Sequence, residues 1–203
     1  MALDAQTALL PYALGVFAIS LPIFIWIGSF ADDALWIGAS LVIFAINWGA
    51  FYAIVSWLRG DASQDLERRA RIQILGGLLW AVTVVQLSVF ANAAGPVRET
   101  LLLLTTAAGV MCIFFSATSL PALLFTAPVA ATGPLIALFS RAETRHVGVM
   151  AWGAIALALA LALVLNRMIR RQHALAEAHD DLVEERLAAL DAAERTARSK
   201  SDI

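Results

Sequence analysis

Residues 147–171 read VGVMAWGAIALALALALVLNRMIRR, and the change of character after Asn166 decides what kind of protein this is. From 147 to 166 there is no ionisable side chain; Arg167, Arg170 and Arg171 then arrive in quick succession. About 20 apolar residues are what a helix needs to cross the hydrocarbon core of a bilayer. Arginines gathered at one end of such a span mark its cytoplasmic side. The final 36 residues, 168–203, hold 14 of the 30 charged side chains. The chain therefore reads as an apolar body, 1–167, followed by a charged tail, 168–203.

Composition supports a membrane location for the body. The whole chain is 61% hydrophobic and 15% charged, with a mean hydropathy of +0.79, beyond what soluble domains carry. The bilayer itself is the first expected partner. A net charge of −2 averages two unlike regions, and no basic run interleaves with aromatics, so nucleic acid is not an expected partner. Cys112 is the single cysteine and lies in an apolar tract, while the three histidines fall outside the apolar spans. No disulfide, metal motif or cofactor is expected.

Stretches without Asp, Glu, Lys or Arg run over 5–31, 34–58, 72–97, 100–140 and 146–166. Four of them fit one crossing each. The 41 residues of 100–140 would make a helix of about 60 Å, twice the ~30 Å hydrocarbon thickness, and so must fold back once. The turn falls at Ser116-Ala117-Thr118-Ser119-Leu120-Pro121, where hydroxyls able to cap backbone groups precede a proline suited to a first helical turn. Six transmembrane helices are thus expected, near 9–30, 34–57, 72–92, 100–117, 120–140 and 147–166. Strands are not expected, because open sheet edges cannot be satisfied in hydrocarbon and the tracts lack barrel-type alternation. The fold class is an all-α integral membrane bundle of six transmembrane helices with a long C-terminal cytoplasmic helix. A cleavable signal peptide is not expected, since the N-terminus has no positive n-region.

Arginine placement sets the orientation. Arg59, Arg68, Arg69 and Arg71 follow the second helix and Arg167, Arg170 and Arg171 follow the sixth, against Asp32 and Asp33 after the first. Both termini are therefore expected in the cytoplasm, with Arg98, Arg141 and Arg145 outside.

Chemistry inside the bundle is sparse. The six expected spans contain no Asp, Glu, Lys, Arg or His, which disfavours proton-driven pumping, a serine protease and a haem site. Gly38-Ala39-Ser40-Leu41 lacks the second glycine and the histidine partner of a nucleophile elbow. No enzymatic activity is expected of this chain. The polar residues left are Asn47 beside Trp48 and Gly49, and Gln86 with Trp80. An amide in hydrocarbon must find partners, so Asn47 and Gln86 either lock helices together or, with Trp48 and Trp80, orient an apolar ligand. Trp26, Trp36 and Trp57 sit near span ends as interfacial anchors. Pro22, Pro128 and Pro134 interrupt helices one and five, and Gly49 with Ala53, like Ala154 with Ala158, has the spacing of a close helix–helix approach.

No glycine or proline occurs over the 50 residues from Ala154 to Ile203, so nothing obliges the sixth helix to stop at the membrane. Two heptad registers compete in the tail. One aligns Leu175, Leu182, Ala189 and Thr196; the other aligns Ala176, Val183, Leu190 and Ala197, with Leu187 nearby. Charged residues intrude at the alternate core positions of both, so the expectation is a marginal parallel homodimer able to shift register. A solvated amphipathic helix is the plainer alternative.

Ala197, Lys200, Ser201, Asp202 and Ile203 match the Ala-x-x-Lys-Ser-acidic-apolar pattern that leads into the phospho-acceptor domain of bacterial sensor histidine kinases. The segment 194–203 resembles that stretch, and the six-helix body resembles in layout the membrane input modules of histidine kinases and diguanylate cyclases. The resemblance implies the front end of a dimeric two-component kinase in a bacterial inner membrane, ending before the phosphorylated histidine, whose sixth helix passes a stimulus to a C-terminal kinase or other output domain. His173 and His179 lie upstream of the motif and read as solvated helical residues. Alternatives are an input module for a diguanylate cyclase and, in a different class, a small six-helix transporter or channel.

Overall fold

A computed structural model describes residues 2–31, 34–60 and 66–201. Asp32 and Asp33 of the first connection, and Asp202 and Ile203 of the 194–203 segment, lie outside them, as do the side chains of Ala197, Lys200 and Ser201. The described residues form α1 (Ala2–Gly28), α2 (Ala34–Gly60), α3 (Leu66–Asn92), α4 (Arg98–Ser116), α5 (Leu120–Phe139) and α6 (Arg145–Ser201), with 3₁₀ turns at Gly95–Val97 and Ala142–Thr144 and no strand. The chain divides into two compact units, 1–166 and 167–203.

Several helices are longer than their apolar stretches. α3 starts at Leu66, not 72, because its arginine-bearing first turns are helical. Glu67 suits the positive helix N-terminus and pairs with Arg71 one turn on, at 2.5 Å. The Arg68 guanidinium lies 4.9 Å from the ring centroid of Trp57, so the tryptophan at the end of α2 meets charge, as an interfacial residue does. Five helical segments are long and apolar enough to cross a membrane: 38–57, 70–92, 95–116, 120–139 and one within 142–187. The apolar segment of α1, Leu14–Gly28, is shorter.

The fold-back inside 100–140 occurs where length requires it. α4 stops at Ser116, Ser119 adopts extended geometry (φ −127°, ψ 116°), and its hydroxyl accepts the Ala122 N–H at 3.5 Å. Pro121 occupies the first turn of α5, where its missing N–H costs no helical hydrogen bond. At the other end, Gly95 (φ 56°) supplies the left-handed turn that lets the chain leave α3 and enter α4.

α3, α4 and α5 form the packed centre of the first unit, and glycine sets their separation. A Cβ on Gly133 of α5 would come 2.7 Å from Val85 Cα, and one on Gly77 of α3 would come 2.7 Å from Thr126 Cγ2. On α4, a Cβ at Gly109 would lie 3.0 Å from the Ala130 carbonyl oxygen. Pro134 explains that last approach: without an N–H it leaves the carbonyl four residues earlier unpaired, and α4 closes against it. Gly49, by contrast, has nothing near it and both Gly49 and Ala53 are exposed in this chain. Their four-residue spacing is not a helix contact within the chain; the close approaches occur at Gly77, Gly109 and Gly133.

Hydroxyls between these helices bond locally and across. Ser88 reaches Thr105 Oγ1 at 3.2 Å, joining α3 to α4, and Thr126 reaches Ser116 Oγ at 2.9 Å, joining α5 to α4. Each also has a backbone carbonyl of its own helix within reach, whereas the buried Thr118 hydroxyl in the α4–α5 connection has no hydrogen-bond partner among the described residues.

Within the second unit, Leu175, Leu182, Val183, Leu187 and Leu190 are all exposed on α6.

Candidate functional site

Asn47 and Gln86 meet. The Asn47 side-chain amide donates to Gln86 Oε1, tying α2 to α3. Each amide thereby satisfies part of its own need in a medium with no water to do so. Trp48 and Trp80 are not brought to that pair as one cluster. Trp48 is partly exposed and stacks on Tyr52, with ring centroids 5.9 Å apart. Trp80 is 4% exposed, with Phe51 on one side (6.1 Å) and Phe115 on another (5.3 Å).

Trp80 instead forms part of the wall of a cavity of about 300 Å³ between α1, α3 and α4. Ile19, Phe24, Leu87, Thr105, Ala108 and Met111 are among the other lining residues, and Asn47, Gln86 and Trp48 are not. An orienting role for the two amides in this cavity is therefore not what the geometry offers.

The least anticipated feature is Arg98. It opens α4, at the start of the apolar segment 95–116, and is 4% exposed. Nε donates to Asn92 Oδ1 at 2.9 Å, Nη1 to Thr144 Oγ1 at 3.1 Å, and Nη2 to the Ala137 carbonyl and to Ser140 Oγ at 3.4 Å. One guanidinium thus fastens the end of α3, the start of α4, the end of α5 and the turn before α6. Its acidic neighbours, Glu99 and Glu143, are exposed. Both balance its charge in part, and the C-terminal ends of α3 and α5 add the partial negative charge of their terminal carbonyls. Arg141 adds a longer contact, 3.4 Å, to the Asn92 carbonyl. An arginine preceding an apolar tract looks like a loop residue unless its partners, up to 46 positions away, are known.

At the other end of the bundle, Asn166 is buried and donates its side-chain amide to the Ala117 carbonyl at 2.8 Å. Ala117 caps α4 inside the 116–119 turn, so that amide holds the last membrane-embedded turn of α6 against the α4–α5 connection. The residue marking the solvent change is thus also a bond donor inside the bundle. His173, expected to be solvated, is half-buried with its Nε2 shielded and unbonded, whereas His179 is exposed.

These groups position helices. Among the described residues no three of His, Cys, Asp and Glu gather as metal ligands, and Cys112 is buried with its thiol 3.8 Å from the Gly77 carbonyl. No family model, curated protein or solved structure matches the chain.

Proposed function

We propose that this chain is a membrane-embedded sensory input module: six transmembrane helices, both termini in the cytoplasm of a bacterium, and a C-terminal helix that passes a conformational change to an output domain. The observation that carries the reading is α6. A single helix, Arg145–Ser201, contributes apolar, partly buried residues to the first unit and charged, exposed residues to the second. A helix with no glycine or proline after residue 153 is suited to transmit a rotation or shift, because its hydrogen-bond ladder resists local bending.

The output in this reading is a histidine kinase, by the resemblance of 194–203. The exposed leucines of the tail belong to a parallel homodimer. Its two competing registers supply the near balance that a switch requires, since a small bias then moves the population strongly. An input module of a diguanylate cyclase would use the same helix in the same way.

The test is helical phasing. Residues 1–203 are fused to a kinase core, and one to four alanines are inserted after Arg171. Autophosphorylation in membranes is expected to oscillate with insert length at the helical period of about 3.6 residues. A flat response would remove the transmission role. Cysteines placed singly at 175, 182, 183, 187 and 190 in a Cys112→Ala background are expected to cross-link between copies in a periodic pattern. A liposome flux assay that found solute movement through the chain would instead favour the transporter reading.

A further inference from the structure

The cavity between α1, α3 and α4 has no role in the packing described so far. Its lining comes from the middle of three helices: Val16 to Phe24 on α1, Trp80 and Leu87 on α3, Leu104 to Met111 on α4. By position it therefore lies near mid-membrane. Its mouth carries Ile19, Ile23 and Met111, which are exposed on the lipid-facing surface, while Phe24, Trp80, Leu87 and Thr105 are buried behind them. The opening thus faces hydrocarbon.

We infer that this cavity is a binding site for a single uncharged hydrocarbon chain, supplied by an acyl tail of a surrounding phospholipid. Three observations select that chemistry. First, about 300 Å³ is at the lower end of the ~300–1,000 Å³ range of ligand sites, enough for one chain and too small for a lipid with its headgroup. Second, no carboxylate, guanidinium, ammonium or imidazole lines it among the described residues. The two lining hydroxyls are engaged: Thr105 donates to the Leu102 carbonyl and accepts from Ser88, and Ser20 is not free either. A ligand with a polar group at this depth would find no vacant partner there and would lose hydrogen bonds on entering. Third, water has nothing to bond to in such a space, and a void this size forfeits the dispersion contacts of its walls. Acyl chains already surround the opening at this depth, so the favourable occupant is at hand.

The chain is then part of the packing of α1, whose Val16, Ile19 and Phe24 would contact it from one side while Trp80, Leu104 and Ala108 contact it from the other. This inference does not depend on the sensory reading; the site would hold an acyl chain whatever the tail drives.

Trp80 provides the probe. In a full-length variant with Trp26, Trp36, Trp48, Trp57 and Trp152 replaced by Phe, the remaining indole is buried from bulk lipid at 4% exposure. The protein is reconstituted in vesicles of phosphatidylcholine brominated at mid-chain, since bromine quenches indole only near contact, and compared with unbrominated vesicles. Trp80 emission is expected to fall roughly two-fold or more, as for a ligand lining its pocket. Adding Ala108→Phe, which fills the cavity, is expected to restore most of the emission. Ala108→Leu, a smaller filling, carries the same comparison if the Phe variant does not insert. Equal quenching with the cavity open and filled, or no quenching with it open, would overturn the site.

Discussion

The α3–α4–α5 centre and the 167–201 tail are both helical and rich in small or apolar residues, yet they use those residues in opposite ways. In the centre, Gly77, Gly109 and Gly133 let backbones touch, and hydroxyls such as Ser88 and Thr126 bond across the resulting seams. In the tail, Leu175, Leu182 and Leu187 are exposed. Hydrocarbon explains the contrast. Lipid tails are as apolar as leucine, so helices in a bilayer gain by fitting closely and not by hiding leucines. In water the exposed leucine is the driving force, and it acts only when a second surface arrives. Helix identity therefore says little; the solvent decides which residues do the holding.

The sharpest way to break this comparison is to overfill a glycine seam. Gly133→Leu sets a side chain where Val85 Cα leaves no space for a Cβ, and should destabilise the bundle by about 3 kcal/mol, the upper end of overpacking. Loss of helicity across an SDS titration measures it. Gly49→Ala, at a glycine with open surroundings, should be neutral or stabilising by up to about 1 kcal/mol, because alanine is the better helix former. Equal effects at the two positions would mean that glycine contacts do not hold the centre.

Next in size is Arg98→Met. It leaves Asn92, Thr144 and the Ala137 carbonyl without their shared donor, and should cost about 2–3 kcal/mol in the same titration. Arg98→Lys should recover less than half of that, since an ammonium cannot reproduce a fork that meets four acceptors in different directions. Full recovery by lysine would reduce Arg98 to a charge at two helix ends.

That residue also marks where reading the sequence stops. The α4–α5 turn was legible because a stretch free of charge over 100–140 exceeds the membrane thickness, and Ser119 and Pro121 show where it breaks. Helix starts were less legible: the bilayer fixes how much of a helix must be apolar, not where it ends, so the arginine-bearing turns of α3 lay beyond the expected limit. Arg98 and the cavity were not legible at all. Both depend on which helices become neighbours, and periodicity cannot report that when every face of a membrane helix is apolar. Asn47 and Gln86 sit between these cases. Their chemistry required a partner, but that they partner each other is a matter of α2–α3 register.

The amide pair predicts a smaller effect. A double-mutant cycle with Asn47→Leu and Gln86→Leu should give a coupling of about 0.6 kcal/mol, the usual size for such bonds between membrane helices. A coupling of zero would detach the pair from the packing of α2 on α3.

Smallest of all should be the response of the bundle to the tail. Leu175→Ser with Leu187→Ser removes two side chains that are 71% and 58% exposed, so the SDS transition of the membrane helices should move by less than about 0.5 kcal/mol. A copy-to-copy contact adds a concentration term that a single chain does not have. If a parallel dimer covers these leucines, inter-copy cross-linking through a cysteine at 182 should fall in the double variant at high protein-to-lipid ratio and be equally low in both proteins at high dilution. Cross-linking unaffected by the substitutions at any dilution would leave the tail a solvated helix. The comparison would then reduce to one between a packed helix set and an uncovered one. A fall confined to high ratio would instead show that the tail is also held by burial, supplied by a second chain where the membrane unit relies on its own backbone contacts.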